Sequence, residues 1–481
     1  AGTLTSLVIS STGGEPGSLW GIRINGTTQL VDNFDNDVDF LDTPTSNYAT
    51  FNPLYPYPTA VLSKANLRVD DSNGGYAPQM LSTIKLDGKY YWEVIPTTNS
   101  SYPYIGVTVL DPTLTSNTVF VDSCYIDSLG NGGNFGSSIV NNTYSTGDVI
   151  GVAYDSSNRQ ITFTYNGANS QSFTVGGTDE LAPMVASAIN AGANINFGQM
   201  PFIYTQPSGY KALQTNNLPE PEIKNGKEYF DAVTYVGNGG TTQTISLDFQ
   251  PDLIWIKAKD AFSSHCLYDT IRGATAMLNP DTTAQERTDG NVASVSSGFT
   301  VGSLHTVAGS TNINNVNYVA WCWKAGGTAV SNTDGTITSS VSANTEAGFS
   351  IVSYEGTNSV DTVGHGLDST PEMIIVKNRD DTANWIVFHK DIDTSAEDWY
   401  LKLNSTDART SSVDAWGSTA PNSSVFSVGA FNNTNGKGVS SPTGDDLIAY
   451  CWHSVEGYSK FGSYTGNGSA DGPFVYTGFK P

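Results

Sequence analysis

Histidine is the side chain best suited to acid–base chemistry near neutral pH, and this chain of 481 residues contains five. No pair has the spacing of the HExxH zinc motif, and none accompanies a GxSxG nucleophile turn. They are scattered along the chain at His265, His305, His365, His389 and His453. The pattern predicts structural or surface histidines, and we expect that the protein is not an enzyme.

A run of aspartates near the start, VDNFDNDVDFLD, is the feature best suited to binding a metal ion. Oxygen ligands at alternate positions are typical of Ca²⁺ sites, where the cation offsets the repulsion between carboxylates. The run lacks the glutamate that an EF-hand loop places at its twelfth position. Two interpretations stay open: a solvated acidic loop, and a calcium site formed by Asp32, Asp35, Asp37 and Asp39, with Asp42 close by. No other cofactor is predicted.

Two segments, YVAWCWKAGG and LIAYCWHSVEG, place aromatic residues where a ligand ring could stack. Because side chains alternate between the two faces of a strand, Trp321 and Trp323 share one face and the cysteine between them lies on the other. Tyr450 and Trp452 have the same relation in the second segment. Core packing and ligand stacking are both open at these four positions, which are our candidate binding residues.

The composition indicates an all-β protein. Only 14% of the residues are charged and 49 are glycine, and short apolar runs alternate with stretches rich in Ser, Thr and Asn. The formal charge of −24 would repel phosphate backbones and anionic membrane surfaces. No apolar run approaches the ~18 residues of a membrane span, so we predict neither nucleic-acid binding nor membrane insertion. The cysteines are too widely spaced for a CxxC site and are predicted to be small buried residues.

Turn and proline signals divide the first half of the chain into domains and linkers. Residues 1–62 combine a hairpin signal at Asn25-Gly26 with a segment containing four prolines, and are predicted to be the end of a β domain plus a linker. Residues 63–205 are predicted to be strands throughout, with a second hairpin at Asn166-Gly167. Residues 206–228 form a second Pro-rich linker.

The sequence after this linker repeats itself. Tyr235, Tyr354 and Tyr464 each precede a glycine by two residues, and in the first two copies a later proline opens a β-rich run. A unit of roughly 110–130 residues is too long for a solenoid repeat and favours tandem, self-sufficient β-sandwich domains. We assign 229–328 to repeat 1, 347–457 to repeat 2, and 458–481 to the start of a third copy that is cut off.

Residues 63–205 resemble a SPRY domain over nearly their whole length. The resemblance is carried by Tyr91-Trp92-Glu93, by Ile105-Gly106-Val107, by the GDVIGV segment, and by LAPMVASA before INFGQMPF. It implies a bent β-sandwich whose end loops bind partners. The predicted fold is therefore all-β, with a SPRY/lectin-like sandwich followed by repeated sandwiches, joined by Pro-rich linkers.

From about residue 15 to its end, the chain also resembles long fibre proteins of marine tailed bacteriophages of the cyanophage type. The linkers DTPTSNYATFNPL and NFGQMPFIYTQPSGYKALQTNNLPEP carry this resemblance, together with YFDAVTYVGNGG and YVAWCWKAGGT. In such proteins a lectin-like sandwich commonly precedes this region and further repeats follow it. The resemblance implies a virion structural protein on the particle surface, either a tail fibre or a head-mounted appendage, that meets the host.

The same resemblance implies the partners, which are other virion proteins of the tail or capsid and a glycan or protein of the host surface. It also implies a homo-oligomer, such as a trimer. Two other functions stay open. One is a carbohydrate-binding or carbohydrate-active module of a secreted protein, which in the active form would place two carboxylates ~5–9.5 Å apart. The other is a purely architectural capsid decoration.

Overall fold

The computed structural model describes ten segments of the chain and four single residues near its end: 22–24, 27–29, 47–53, 60–71, 79–97, 103–110, 122–187, 191–302, 310–437, 444–466, and positions 468, 475, 477 and 479. The chain forms two compact units. The first comprises Ala1–Pro219 with Tyr464–Gly478, and the second comprises Glu220–Ser463 with Phe479–Pro481. In the part of the chain that the structure describes, no helix has the length and apolarity of a membrane span.

The described strands of the first unit are β1 (Ile22–Ile24), β2 (Thr27–Gln29), β3 (Ala60–Ser63), β4 (Arg68–Asp71), β5 (Gln79–Leu81), β6 (Lys89–Pro96), β7 (Pro103–Val109), β8 (Ser123–Ile126), β9 (Asn131–Asn134), β10 (Ser137–Val140), β11 (Ile150–Asp155), β12 (Gln160–Tyr165), β13 (Ala168–Thr174), β14 (Leu181–Ser187), β15 (Gly192–Asn196) and β16 (Lys211–Ala212). A 3₁₀ turn covers Thr215–Asn217.

Two large antiparallel sheets form the sandwich of the first unit. One has the strand order β10-β9-β8-β7-β14-β5, and the other has the order β13-β12-β11-β6-β15-β4-β3, with β16 parallel to β6. Trp92, Ile105, Val152 and Phe163 come from both sheets and belong to one buried cluster. The hairpin predicted at Asn166-Gly167 is confirmed, since both residues have positive φ and join the paired strands β12 and β13.

The two Pro-rich segments that flank the sandwich also contribute to its core. Ala49 and Phe51, from the first predicted linker, are fully buried, and so is Leu213 from the second. The backbone N–H of Ala49 donates to the carbonyl of Leu213. Burial of these apolar side chains ties both segments to the sandwich, so they are more than extended connectors.

The described strands of the second unit are β17 (Phe230–Val236), β18 (Gln243–Ser246), β19 (Leu253–Ala258), β20 (Cys266–Asp269), β21 (Val292–Val295), β22 (Gly298–Val301), β23 (Asn317–Trp323), β24 (Val330–Asn332), β25 (Ser339–Asn344), β26 (Phe349–Glu355), β27 (Asp361–Gly364), β28 (Met373–Asn378), β29 (Ile386–His389), β30 (Trp399–Lys402), β31 (Thr410–Ser411), β32 (Val425–Val428) and β33 (Asp446–Trp452). Its helical turns are Gly226–Glu228, Ala396–Asp398 and α1 (Asn432–Asn435).

Repeat 1 and repeat 2 share one strand plan. In repeat 1 the sheet β17-β23-β19-β20 faces the sheet β18-β22-β21, and a buried cluster lies between them. In repeat 2 the corresponding strands β26-β33-β28-β29 face β27-β32 across a second cluster. Repeat 2 also contains β24 and β25, which come from the chain between the predicted repeats and extend the sheet beyond β26. The predicted all-β fold of tandem sandwiches is confirmed.

Candidate binding site

In repeat 1 and repeat 2, the opening tyrosine makes a hydrogen bond between the first strand of the sandwich and a segment that comes much later in the repeat. The hydroxyl of Tyr235 donates to the carbonyl of Thr311 at 2.7 Å, and the hydroxyl of Tyr354 donates to the carbonyl of Thr434 at 2.5 Å. Both tyrosine side chains are buried, at 8% and 4% exposure. The repeated tyrosine is therefore a structural anchor, because each hydroxyl pairs a carbonyl far away in the sequence.

An asparagine that follows each of these threonines holds the loop after the tyrosine. Asn312 accepts the backbone N–H of Asn238 at 2.8 Å and donates to the carbonyl of Gly240. Asn435 accepts the N–H of Thr357 at 2.8 Å and donates to the carbonyl of Ser359. Both asparagines are fully buried. Sequence reasoning missed this contact, although the recurring Thr-Asn pair at 311–312 and 434–435 was a usable signal.

The glycine two residues after each tyrosine is required by the same contact. A Cβ built on Gly237 would lie 2.1 Å from the carbonyl oxygen of Ile313, and one on Gly356 would lie 2.0 Å from that of Gly436. These contacts are with backbone, which cannot rotate away. The Tyr-x-Gly pattern that defines the repeat thus records a close approach between two loops.

The strands that carry the candidate aromatic residues have two different faces, as predicted. Cys322 of β23 and Cys451 of β33 are fully buried and belong to the core of their own repeat. Trp323 and Trp452 lie on the opposite face, and their ring centroids are 6.3 Å apart. The outer faces of the two repeats therefore pack against each other.

A shared apolar cluster joins the two repeats, in addition to the core that each repeat has of its own. That each repeat is self-sufficient stays a prediction. The strand registers set Leu253 opposite Trp323 in repeat 1 and Met373 opposite Trp452 in repeat 2, which makes these pairs equivalent. All four belong to the shared cluster. Its buried members are Leu253, Leu267, Leu278, Ala325, Phe349, Ile351, Ile375, Trp385, Val387, Ile448 and Tyr450. Equivalent faces of the two repeats thus meet in this contact.

A buried network of charged side chains also links the two repeats. The Arg272 guanidinium, whose side chain is 0% exposed, donates to Asp269 at 2.6 Å and to Glu286 at 2.9 Å. Glu286 also accepts from Arg379 of repeat 2 at 2.8 Å, and Tyr450 of repeat 2 donates its hydroxyl to Asp269 at 2.7 Å. Each charged group has its counter-charge within hydrogen-bond distance, as burial requires.

The pKa shifts in this network follow from burial and from the neighbouring charges. Burial on its own would lower the pKa of Arg272, but Asp269, Tyr450 and Glu286 raise it above its usual value. Burial would raise the pKa of Glu286, but Arg379 and Arg272 lower it. Both groups stay ionised at neutral pH. The network is a structural device that joins the repeats.

Repeat 2 covers only part of the outer face of repeat 1. Trp321 and Trp255 are neighbours in the strand register of β23 and β19, and both are partly exposed. Their ring centroids are 6.4 Å apart and their planes meet at 79°. The equivalent residues of repeat 2, Tyr450 and Ile375, are 1% and 3% exposed. This partly exposed aromatic surface belongs to repeat 1: Trp255 packs against the edge of the shared cluster, and Trp321 lies outside it. We call Trp255, Trp321 and His265 the indole site.

The four candidate aromatic residues therefore differ in their surroundings. Trp323 and Trp452 are partly exposed members of the shared cluster, and Tyr450 is enclosed within it. Trp321 lies outside the shared cluster, on the uncovered part of the face. The hypothesis that these residues bind a ligand stays a prediction, and the structure draws attention to Trp321. Sequence reasoning missed Trp255 and His265, because they lie on other strands.

The predicted calcium residues Asp32, Asp35, Asp37 and Asp39 lie outside the described residues, and the calcium site stays a prediction. Within the described ranges, no group of three or more His, Cys, Asp or Glu side chains is placed to hold a metal ion. Of the histidines, His305 also lies outside these ranges. Burial lowers the pKa of His265, His365 and His389, so these three rings are neutral at pH 7.

Two of the SPRY-like motif residues, Tyr91 and Glu93, bind the segment that follows the sandwich of the first unit. Glu93 is fully buried, and its carboxylate accepts the backbone N–H groups of Ile203 and Tyr204, each at 2.8 Å. The Tyr91 hydroxyl donates to the same carboxylate at 3.1 Å, and its ring packs edge-on against Phe202 at 4.8 Å. These residues fix the segment that follows the sandwich.

Fold and sequence together define a class of protein, namely tandem β-sandwiches that include a SPRY domain. The SPRY family profile matches residues 89–200. A second profile, described as "Domain of unknown function (DUF7483)", matches residues 225–481, which is more than half of the chain. The chain belongs to this family. The matched region contains both repeats and the contact between them.

Several solved structures are similar to 31% of this chain. The SPRY domain of human HERC1 is 19% identical, with 99% of that chain covered and a TM-score of 0.28. The TRIM65 PSpry domain is 17% identical, with 92% covered and a TM-score of 0.27. Stonustoxin is 18% identical, with 27% covered and a TM-score of 0.27. No curated protein matches the chain.

Proposed function

We propose that this chain is a non-enzymatic segment of a tailed-bacteriophage fibre, which contributes to virion structure and to adsorption on the host surface. The observation that carries the proposal is the contact between the repeats, where a shared apolar cluster and a buried ion network make one compact unit. A fibre segment must transmit force without separating its domains, and a large apolar contact resists separation. The resemblance of the linkers to those of phage fibres supports the same function.

The surface of the described residues offers contact points suited to adsorption. Large apolar side chains are exposed singly on this surface, such as Phe262 at 99%, Val140 at 79% and Val360 at 69%. Phe262 follows Asp260, whose carboxylate is bonded to Asn317, so the base of that loop is fixed. Loops on a firm scaffold are the usual place for recognition. We propose other virion proteins and a host-surface glycan or protein as partners, and a homo-oligomer such as a trimer as the assembled form.

Peptide mapping of purified phage particles tests the proposal directly. We expect peptides of this chain at a fixed ratio to tail or capsid proteins, and we expect the purified chain to compete with particles for adsorption to host cells. Absence of the chain from purified particles would overturn the proposal. Presence in particles without competition would favour a purely architectural capsid decoration.

A carbohydrate-binding or carbohydrate-active module of a secreted protein is the second candidate. The partly exposed indole rings of Trp255 and Trp321 favour the binding form, because indoles are suited to stacking against sugar rings. The mapping experiment separates the two candidates. A secreted module would be found in the culture medium and would not copurify with particles.

A further inference from the structure

Three neighbouring positions of the repeat 1 sheet form a row across its uncovered outer face. The registers pair Ala232 of β17 with Trp321 of β23, and Trp321 with Trp255 of β19. Ala232 is exposed, and Trp321 and Trp255 are partly exposed. The row therefore places a small exposed residue next to two partly exposed indoles on three hydrogen-bonded strands.

A hydrogen bond to His265, the residue immediately before β20, holds Trp255 in one orientation. Its indole N–H donates to Nδ1 of His265 at 2.9 Å, and the two rings meet at 78°. The backbone of His265 is itself fixed, since its N–H donates to Asp281 and its carbonyl accepts from Asn279. The site is thus ordered before any ligand arrives, which reduces the entropy lost on binding.

The hydrogen bond from Trp255 also fixes the proton of the neutral His265 ring. Because Nδ1 accepts, the proton must be on Nε2, which is then a donor. Neither this Nε2–H nor the indole N–H of Trp321 has a hydrogen-bond partner among the described residues. Thr234, which is exposed on the same face of β17, adds a hydroxyl. The indole site and its strand neighbour Thr234 therefore carry polar donors as well as aromatic rings.

The equivalent row of repeat 2 shows what this face looks like where protein covers it. Ile351, Tyr450 and Ile375 are 0%, 1% and 3% exposed, and all three belong to the shared cluster. Repeat 1 has a small residue and two indoles at these positions, and they remain at least partly exposed. A partly exposed aromatic surface surrounded by polar groups is typical of a binding site.

We propose that the indole site binds a pyranose ring of a saccharide. The C–H groups on one face of a pyranose are apolar and weakly positive, and they pack against the negative face of an indole. The donors of His265 and Trp321 then meet sugar oxygens at the rim. The formal charge of −24 disfavours polyanionic ligands, so a neutral saccharide fits this surface best. This inference rests on the proposed function, in which the chain contacts the host surface.

The test uses the full chain on an array of neutral oligosaccharides and bacterial O-chain polysaccharides. Trp321→Ala removes the central ring, and Ala232→Glu places a carboxylate beside it without removing any aromatic group. Gln250→Ala is the control, since this exposed residue lies on a loop of the same repeat and has no part in the indole site. We expect each site variant to weaken saccharide binding at least tenfold and the control variant to leave it unchanged.

Thermal unfolding of each variant ensures that the result reports on binding. We expect Ala232→Glu to unfold at the temperature of the unchanged chain, because residue 232 is exposed. Saccharide binding that survives both site variants would overturn the indole site while leaving host adsorption intact. Host-cell binding that is lost after protease treatment but survives periodate oxidation of glycans would overturn the saccharide class in favour of a protein receptor. Failure of the chain to bind host cells at all would instead contradict the proposed function.

Discussion

Repeat 1 and repeat 2 share anchoring residues inside the sandwich and differ on their outer faces. Within the sandwiches, Tyr235 and Tyr354 make the same hydrogen bond, and Cys322 and Cys451 occupy the same fully buried place. On the outer faces the equivalent residues differ: Trp255 corresponds to Ile375 and Trp321 to Tyr450. An inward side chain packs within its own sandwich, whereas an outward one meets whatever that copy packs against.

The charged network shows that the outer faces of the two repeats are not interchangeable. Asp269 of repeat 1 is buried beside Arg272, and the equivalent position of repeat 2 is His389, set by its register opposite Met373. Tyr450 supplies the hydroxyl that Asp269 accepts. Two copies of repeat 1 packed the same way would place an indole there instead, with no hydroxyl for the carboxylate. The contact therefore suits the pairing of repeat 1 with repeat 2 and not the pairing of two copies of repeat 1.

The largest expected effect comes from removing the guanidinium that joins the network. Arg272→Ala leaves Asp269 and Glu286 buried with one counter-charge fewer, and we expect it to lower the free energy of unfolding of the second unit by about 3–5 kcal/mol. Urea denaturation followed by tryptophan fluorescence measures this loss. The control is Lys402→Ala, which removes a solvent-exposed pair with Asp407 and should cost at most about 1 kcal/mol. Equal losses in the two variants would contradict the role of the network.

A pH effect should come from a buried lysine of repeat 2. Lys377 is 0% exposed, and burial lowers its pKa from 10.5 to about 8, so the folded chain loses this proton at a lower pH than the unfolded chain. Between these values the unfolded state binds more protons, and this group's contribution to the free energy of unfolding therefore rises with pH, by on the order of 3 kcal/mol.

The measurement compares urea denaturation of the unchanged chain and of Lys377→Met from pH 7 to pH 10.5. The difference between the two profiles isolates Lys377 from the ionisation of tyrosines and thiols. We expect the unchanged chain to gain stability relative to Lys377→Met as pH rises. Parallel profiles for the unchanged chain and Lys377→Met would contradict this prediction.

A smaller loss in the free energy of unfolding should distinguish a covered position of the outer faces from an equivalent position that is partly exposed. Tyr450→Phe removes one donor from the buried carboxylate of Asp269, and we expect a loss of about 1–3 kcal/mol in the free energy of unfolding. Trp321→Phe, at the equivalent but partly exposed position, should change it by no more than about 0.5 kcal/mol. The same urea assay measures both. A larger loss for Trp321→Phe would show that its indole is needed for packing.

The smallest expected difference concerns the tyrosine anchors. Tyr235→Phe and Tyr354→Phe each remove one hydrogen bond to a threonine carbonyl, and we expect each to cost about 1 kcal/mol. Because the anchors are equivalent, the two losses should agree to within about 0.5 kcal/mol. Thermal unfolding measures both variants. Clearly unequal losses would show that the inner parts of the repeats are less alike than their shared hydrogen bonds indicate.

Much of the fold followed from the sequence, because strands and turns leave local patterns. The Asn166-Gly167 hairpin and the opposite faces of Cys322 and Trp323 were predictable, since turn geometry and strand alternation depend on neighbouring residues only. The repeats were visible because each preserves its inward residues. The linkers were harder to predict: Phe51 and Leu213 look like connector residues, and only the sandwich they fill makes them core.

The candidate site depended on tertiary structure to a much greater extent. Sequence reasoning named Trp321 but could not join it to Trp255 and His265, because strand order decides which distant residues become neighbours. It also gave Tyr450 the same status as Trp321, although repeat 2's outer face is covered and that of repeat 1 is partly open. Sequence alone determined the all-β repeated architecture and the inner faces of its strands, since these depend on local periodicity. Only packing between the repeats decided which outer residues are buried and which are left to bind, because burial depends on the partner surface.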